Sequence, residues 1–234
     1  MKTLSKEEVR KEIDKNRNHA WIKEIYERHK DELDREILYY FGNNITYRTL
    51  FTESINLARA LKSNGIKKGD EFVVCIDRIP EFVYFMGAAS IIGAKINLIS
   101  EKFDKNYIIQ IINDAKSNTI FIQNNKLNTL SNVIDELEGF SIVTISHKRS
   151  LPYNNQYEEI INKFYDTSCS SNSGKYISYD EFVASGKNYE GKVFEESTLE
   201  DSFTITYSSG TTKKGLPKGI LHKNRHYITM GNPF

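Results

Sequence analysis

Apolar residues in the middle of the chain come in short runs separated by amphipathic stretches. Glu71 to Asp77 (EFVVCID) reads as a strand, and Pro80 opens a helix that continues through Ile92 and stops at Gly93. Proline suits a first helical turn and glycine a helix end. Ala94 to Ile99 is the next strand. The order then repeats: Asp104 caps a helix reaching Lys116, Thr119 to Ile122 is a strand, Leu127 to Leu137 is helical, and Phe140 to Ile145 is a strand. Strands that alternate with helices imply right-handed crossovers. The predicted class is α/β, a layered, largely parallel sheet with helices on both faces.

The flanks read differently. Met1 to Leu33 is a predicted helical layer, with Ser5 and Glu8 as a capping box and a partial apolar face at Val9, Ile13, Trp21, Ile22, Ile25 and Tyr26. Trp21 is expected to pack there rather than to stack on a ligand. Glu36 to Phe41 and Ile45 to Tyr47 flank Gly42-Asn43-Asn44 as a hairpin, and a helix from about Arg48 ends at Asn64-Gly65. Between Ser146 and Glu200 the composition turns to Asn, Ser, Tyr and Lys, with SCSSNSG at Ser168 to Gly174. A linker or long surface loop is expected there, with Ser178 and Glu181 capping a short helix. His147-Lys148-Arg149 reads as a solvated turn rather than a phosphate patch. Asp201 to Tyr207 (DSFTITY) alternates as a strand, Ile220 and Leu221 begin another, and a helix starts near Asn224. The expected organisation is a helical segment at 1–35, an α/β subdomain at 36–146, the polar linker at 147–200, and the start of a second α/β subdomain at 201–234.

Composition narrows the partners. Of 234 residues, 39% are hydrophobic and 27% charged, enough to bury a sizeable core. With 32 Lys and Arg against 31 Asp and Glu, no basic field points to nucleic acid or an anionic membrane. The longest apolar run, Phe82 to Ala94, is too short to span a bilayer, and the N-terminus lacks the apolar core of a signal peptide. Cys75 and Cys169 have neither redox nor metal spacing, so free thiols in a cytoplasmic setting are expected. The five histidines form no metal pattern. His222 and His226 are four apart, but HKNRH lacks the glutamate of a zinc-protease helix.

The segment Tyr207 to Gly219, YSSGTTKKGLPKG, concentrates the chemistry. Glycines at 210, 215 and 219 let successive backbone N–H groups point into one concavity. Ser208, Ser209, Thr211 and Thr212 add hydroxyl donors, and Lys213, Lys214 and Lys218 add ammonium charge. Donors of this kind suit a polyphosphate, each charge-assisted bond contributing roughly 1.5 to 3 kcal/mol. Gly210 and Gly215 have the glycine spacing of a Walker loop, yet Leu216 and Pro217 stand where its Lys and Ser/Thr belong. The Walker reading fails, and Tyr207 to Gly210 is not the G-x-S-x-G of a nucleophile elbow.

The same segment resembles the signature of the adenylate-forming (AMP-binding) superfamily, [YF]-[ST]-S-G-[ST]-T-G-x-P-K-G. Tyr207 to Thr212 match in order and Gly215 to Gly219 match again, with Lys213 and Lys214 as two extra residues between the halves. Thr46-Tyr47, Leu50, Ala58, Leu61, Gly65 and Lys68-Gly69-Asp70 resemble the family's early region, as do Pro80-Glu81-Phe82, Ala88, Gly93 and Ala94. The resemblance covers about Gly42 to His222. It implies the N-terminal domain of an enzyme that uses ATP with Mg2+ to activate a small carboxylic acid as acyl-adenylate and passes it to a thiol, in the acyl-CoA synthetase branch coenzyme A. It further implies that Lys218 stabilises the departing pyrophosphate, while Ser208, Ser209, Gly210, Thr211, Thr212, Lys213, Lys214 and Gly215 shape or contact the phosphate site. His222, three residues after Gly219, resembles a histidine of acetate- and propionate-type synthetases. The family's adenine-stacking aromatic, ribose-binding acid and C-terminal lysine have no counterpart in this stretch. The chain is therefore expected to be the front part of a larger enzyme, inactive alone and reliant on the remainder of its own chain. A non-catalytic nucleotide-binding or scaffold protein and an interaction module with an exposed basic loop are the alternatives.

Overall fold

The alternation of strands and helices becomes one main sheet in the computed structural model, which describes residues 3–9, 20–115, 117–152, 156–157, 159–161, 176–208 and 218–230. In chain order the elements are α1 (Trp21–His29), β1 (Glu36–Tyr40), β2 (Asn43–Thr46), α2 (Tyr47–Ser63), β3 (Glu71–Cys75), α3 (Pro80–Ile92), β4 (Lys95–Leu98) and α4 (Lys105–Ala115). There follow β5 (Thr119–Gln123), α5 (Ser131–Ile134), β6 (Ser141–Ile145), β7 (Tyr176–Ser178), α6 (Tyr179–Ser185), β8 (Ser202–Tyr207), β9 (Gly219–Lys223) and α7 (Asn224–Met230). The sheet order is β7-β6-β5-β3-β4-β8-β9, parallel throughout except for the antiparallel β8–β9 pair. β1 and β2 form a separate hairpin whose tip carries Phe41 and Gly42 at positive φ.

Strand periodicity divides the core. Phe72, Val74, Phe121, Val143 and Ile145 face one side, where they pack with α1, α2, α3 and α6. Val73, Cys75, Ile120, Ile122 and Ile142 face the other, against α4 and α5. Side chains alternate across a strand, so one short apolar run serves both layers. Burial pushes the Cys75 thiol up to about 12, which keeps it protonated and inert; Cys169 lies outside the described residues.

Local chemistry sets the helices. The Thr46 hydroxyl accepts from the Thr49 N–H and caps α2, and Gly93 ends α3 in the left-handed region. Gly87 lets α2 and α3 approach closely, since a Cβ there would lie 2.1 Å from Ser54 Oγ. Ser178 and Glu181 form the expected capping box of α6, and Ser5 and Glu8 pair in the same way.

Several expectations are revised. The helix expected over Leu127 to Leu137 is a 3-10 turn at Asn124–Lys126 followed by the four-residue α5; Asn128, Thr129 and Ser131 are weak helix formers there. Within the expected linker, β7 joins the sheet beside β6, and α6 packs on α2. Ser168 to Gly174 lie outside the described residues, as do Ile13 and Lys116. β8 and β9, expected to open a second subdomain, hydrogen-bond within this same sheet.

The reading of His147-Lys148-Arg149 as a solvated turn is wrong. His147 is fully buried, and the Arg149 guanidinium pairs with Glu53 at 2.9 Å, Asp180 at 2.9 Å and Glu81 at 3.3 Å while lying 4.7 Å from the Tyr179 ring centre. Its partners come from α2, α3 and α6, so the turn after β6 closes over a charged core that sequence spacing does not reveal.

Candidate functional site

β8 and β9 carry the two arms of the glycine-, hydroxyl- and lysine-rich loop. Its ends are clamped: the Ser208 N–H donates to the Lys218 carbonyl at 3.1 Å, and the Lys218 N–H donates to Ser208 Oγ at 3.2 Å. Of the sequence-predicted site residues, Ser208 and Lys218 are thus brought together. Ser209, Gly210, Thr211, Thr212, Lys213, Lys214 and Gly215 lie outside the described residues. One residue further, Tyr207 pairs with Gly219, where a Cβ would stand 3.3 Å from both Ile205 Cγ2 and Tyr207 Cε1. A larger residue there would require the Ile205 and Tyr207 side chains to give by a few tenths of an ångström.

One face of this strand pair is braced by aromatic edges. The half-buried Tyr207 ring meets Phe103 and Tyr107 edge-on, with centroids 6.1 and 5.8 Å away. Its hydroxyl donates to Asn97 Oδ1; the Asn97 amide donates to Glu71 Oε2 at 3.0 Å, and Lys95 neutralises Glu71 at 3.0 Å. Burial raises the Tyr207 phenol well above its usual range, with Tyr107 and Glu71 adding to the effect, so the group stays a neutral donor. The sequence reading missed Asn97 and Glu71. A signal existed, because Asn97 is the one amide inside the apolar run Ala94 to Ile99.

The opposite face is braced from the ends of the described chain. Thr204 and Tyr227 share a hydrogen bond at 2.7 Å, as do Thr206 and His222 Nε2. Burial, and then the neighbouring His226, hold the His222 imidazole below the usual histidine range, so it is neutral near pH 7. Trp21 stacks on Phe203 at 5.8 Å and meets Tyr227 edge-on, which is the packing role expected of it. The Asn224 side chain accepts from the Trp21 N–H and donates to Ser197 and Thr198, tying α1 and α7 to the strands.

The loop leaves the carboxyl end of β8, at the sheet edge where open α/β sheets form their ligand crevices. Along that edge Lys126 is buried between Asp77 at 2.7 Å and Glu101 at 3.1 Å, so its charge is already paired within the fold. Lys218 differs: it is exposed, and its ammonium makes no ion pair among the described residues. Ser208 Oγ accepts from the backbone and so keeps its O–H free to donate. Among the described residues, this clamped turn offers a hydroxyl and a cation whose chemistry suits an anionic group.

Sheet, clamp and loop position together define an α/β domain of the adenylate-forming class. The chain belongs to the AMP-binding enzyme family, which it matches over residues 26–232. It is 30% identical over 194 residues to the acetyl-coenzyme A synthetase of Bartonella quintana, a match that covers 81% of this chain and 28% of that protein. To the acetyl-coenzyme A synthetase of Brucella canis it is 28% identical, over 82% of this chain and 29% of that one. Among solved structures, the anthranilate CoA ligase AuaEII in complex with anthranoyl-AMP superposes with a TM-score of 0.68 at 18% identity, over 91% of this chain and 36% of that one. Acetoacetyl-CoA synthetase from Streptomyces lividans gives 0.64 at 16%, over 91% and 32%. The chain spans under a third of the length of these curated relatives.

Proposed function

We propose that this chain supplies the phosphate-gripping front of an ATP-dependent ligase that activates a carboxylic acid as acyl-adenylate and transfers it to coenzyme A. The observation that carries this reading is the Ser208–Lys218 clamp, which holds the ends of a family-type loop together at the carboxyl edge of the sheet, with the Lys218 ammonium in no ion pair among the described residues. A carboxylate and a triphosphate repel, so the reaction requires fixed donors and cations where charge develops on the phosphates. In this proposal Lys218 steadies the departing pyrophosphate, Ser208, Ser209, Thr211 and Thr212 donate hydrogen bonds, and Gly210 and Gly215 allow the backbone to face the phosphates. Lys213 and Lys214 add positive charge. Mg2+ carried by the nucleotide would supply further positive charge against the phosphates, beside that of Lys218.

Acetate is the first acid to test, because His222 stands at the position noted for acetate-type synthetases and the curated relatives are acetyl-coenzyme A synthetases. The activity is proposed for this chain together with the further length that those relatives carry, and the 234 residues alone are expected to bind ATP without turnover. No helix among the described residues is long and apolar enough to cross a membrane, and a cytoplasmic enzyme is proposed. The test is acid-dependent exchange of labelled pyrophosphate into ATP by the full-length protein, with acetate, propionate, fatty, aromatic and amino acids as separate pools. Exchange with one pool supports adenylation and names the acid class. Stabilisation by ATP with no exchange in any pool replaces the ligase by a non-catalytic nucleotide binder, with the Lys213-Lys214 insertion the first feature to delete.

A further inference from the structure

Away from the loop, a cavity of about 280 Å³ opens between the β1–β2 hairpin and the start of α3. Its walls are apolar, formed by Leu38, Tyr39, Ile79, Phe82 and Val83, and Arg78 is its one charged lining residue. Arg78 is exposed and has no ion pair among the described residues. The nearest acid in sequence does not compensate it: Asp77 is committed to Lys126 at 2.7 Å and to Asn125, while its N–H is held by Gln123. A tight turn, Ile79 N–H to the Asp77 carbonyl at 2.9 Å, separates the two side chains' surroundings. α3 begins here with Pro80, and the acid of its first turn, Glu81, is held by Ser150 and Arg149 rather than by Arg78.

An apolar slot with one uncompensated guanidinium at its rim selects for a ligand with one anionic end and a hydrocarbon body. We propose that this cavity binds an amphipathic monoanion, a straight-chain carboxylate whose head pairs with Arg78 and whose chain lies along Leu38, Tyr39 and Phe82. The volume is at the small end of ligand pockets, which run from roughly 300 Å³ upward, and fits a chain of medium length better than a nucleotide. A planar guanidinium matches a carboxylate through two parallel hydrogen bonds. Tyr39, 71% exposed, is the surface that such a chain would cover.

The inference is independent of the ligase reading, because binding is read in the absence of ATP. The probe is octanoate, titrated into the protein with labelled Leu38, Ile79 and Val83 methyl groups and followed by NMR. Saturable shifts at these three methyls are expected. Hexanoate should bind more weakly by up to about fourfold per methylene lost, and octanol, with the same body and no charge, by tenfold or more. Arg78→Met should weaken octanoate about tenfold, whereas Arg78→Lys, which keeps the charge, should retain most of the affinity. Arg78 is exposed, so both variants should keep the unfolding midpoint of the parent, and that is checked in parallel. Absence of saturable shifts, equal binding of octanol, or octanoate affinity unchanged by Arg78→Met would each overturn the proposal; the last outcome would place the acid elsewhere.

Discussion

Arg149 and Lys218 both lie at the carboxyl edge of the main sheet, and their surroundings are opposite. Arg149 is half-buried, paired with three carboxylates and set against an aromatic face, so its charge is taken up within the fold. Lys218 stands exposed, with its backbone clamped and its ammonium unpaired among the described residues. A cation whose field is consumed by its own fold holds elements together; one whose backbone is fixed and whose head is free can act on something that arrives. The two positions are separated by experiment more cleanly than by sequence, where both are basic residues in connections between strands.

The largest effect is expected from Arg149→Met. Removing the guanidinium leaves the buried Glu81 with Ser150 but no cation, beside Glu53, and loss of one partner of a buried pair costs about 3 to 5 kcal/mol. Chemical denaturation should show that loss with no specific effect on ATP binding per folded molecule. Tyr207→Phe should cost about 1 kcal/mol, the value of a neutral hydrogen bond, by freeing the Asn97 carbonyl oxygen; a larger loss would mean that the Asn97-Glu71-Lys95 chain acts as a unit. Lys218→Ala should leave the unfolding midpoint unchanged without nucleotide and abolish most of the rise that ATP produces. If the ATP-dependent rise persists in that variant, Lys218 does not touch the ligand.

The smallest expected effect is a pH slope. Burial raises the Glu81 carboxyl above its ordinary 4.5, more than Ser150 and Arg149 lower it. Between that ordinary value and the raised one the native state holds more protons than the unfolded chain, so this group's contribution is full below about 4.5 and declines as pH rises through its folded value. Glu81→Gln should flatten that decline in a denaturation series run upward from about pH 4.5. His222 has the opposite sign: its imidazole is depressed by burial, so the unfolded chain binds the extra proton and stability falls as pH drops below the usual histidine range. A His222→Gln variant should lose that acid-side fall.

Local signals in the chain were a good guide where the cause was local. The apolar runs at Glu71 to Asp77 and Phe140 to Ile145, the Pro80 start and Gly93 stop of α3, and the Ser178/Glu181 cap all depend on residues a few positions apart, and each was legible. β7 was not, because a three-residue edge strand of Tyr, Ile and Ser has too short a period to register within a polar stretch. The Arg149 cluster joins residues 53, 81, 149 and 180, and the Tyr207 brace joins 71, 95, 97 and 207. No spacing rule connects positions brought together by a sheet. For the candidate site, the motif pointed to the residue types, while the clamp and its two braced faces came only with the fold.

The Ser208–Lys218 clamp also bears on the two extra lysines, in terms of chain statistics. Once the ends of a loop are tied by hydrogen bonds, its length enters the free energy only through the logarithm of the number of residues between them. Two additional residues in so short a segment raise the closure cost by about 0.2 kcal/mol, too little to disturb the register of Tyr207 against Gly219. Deleting Lys213 and Lys214 should therefore leave the strand pair intact, which makes the deletion a nearly pure test of what these two positive charges do for a nucleotide.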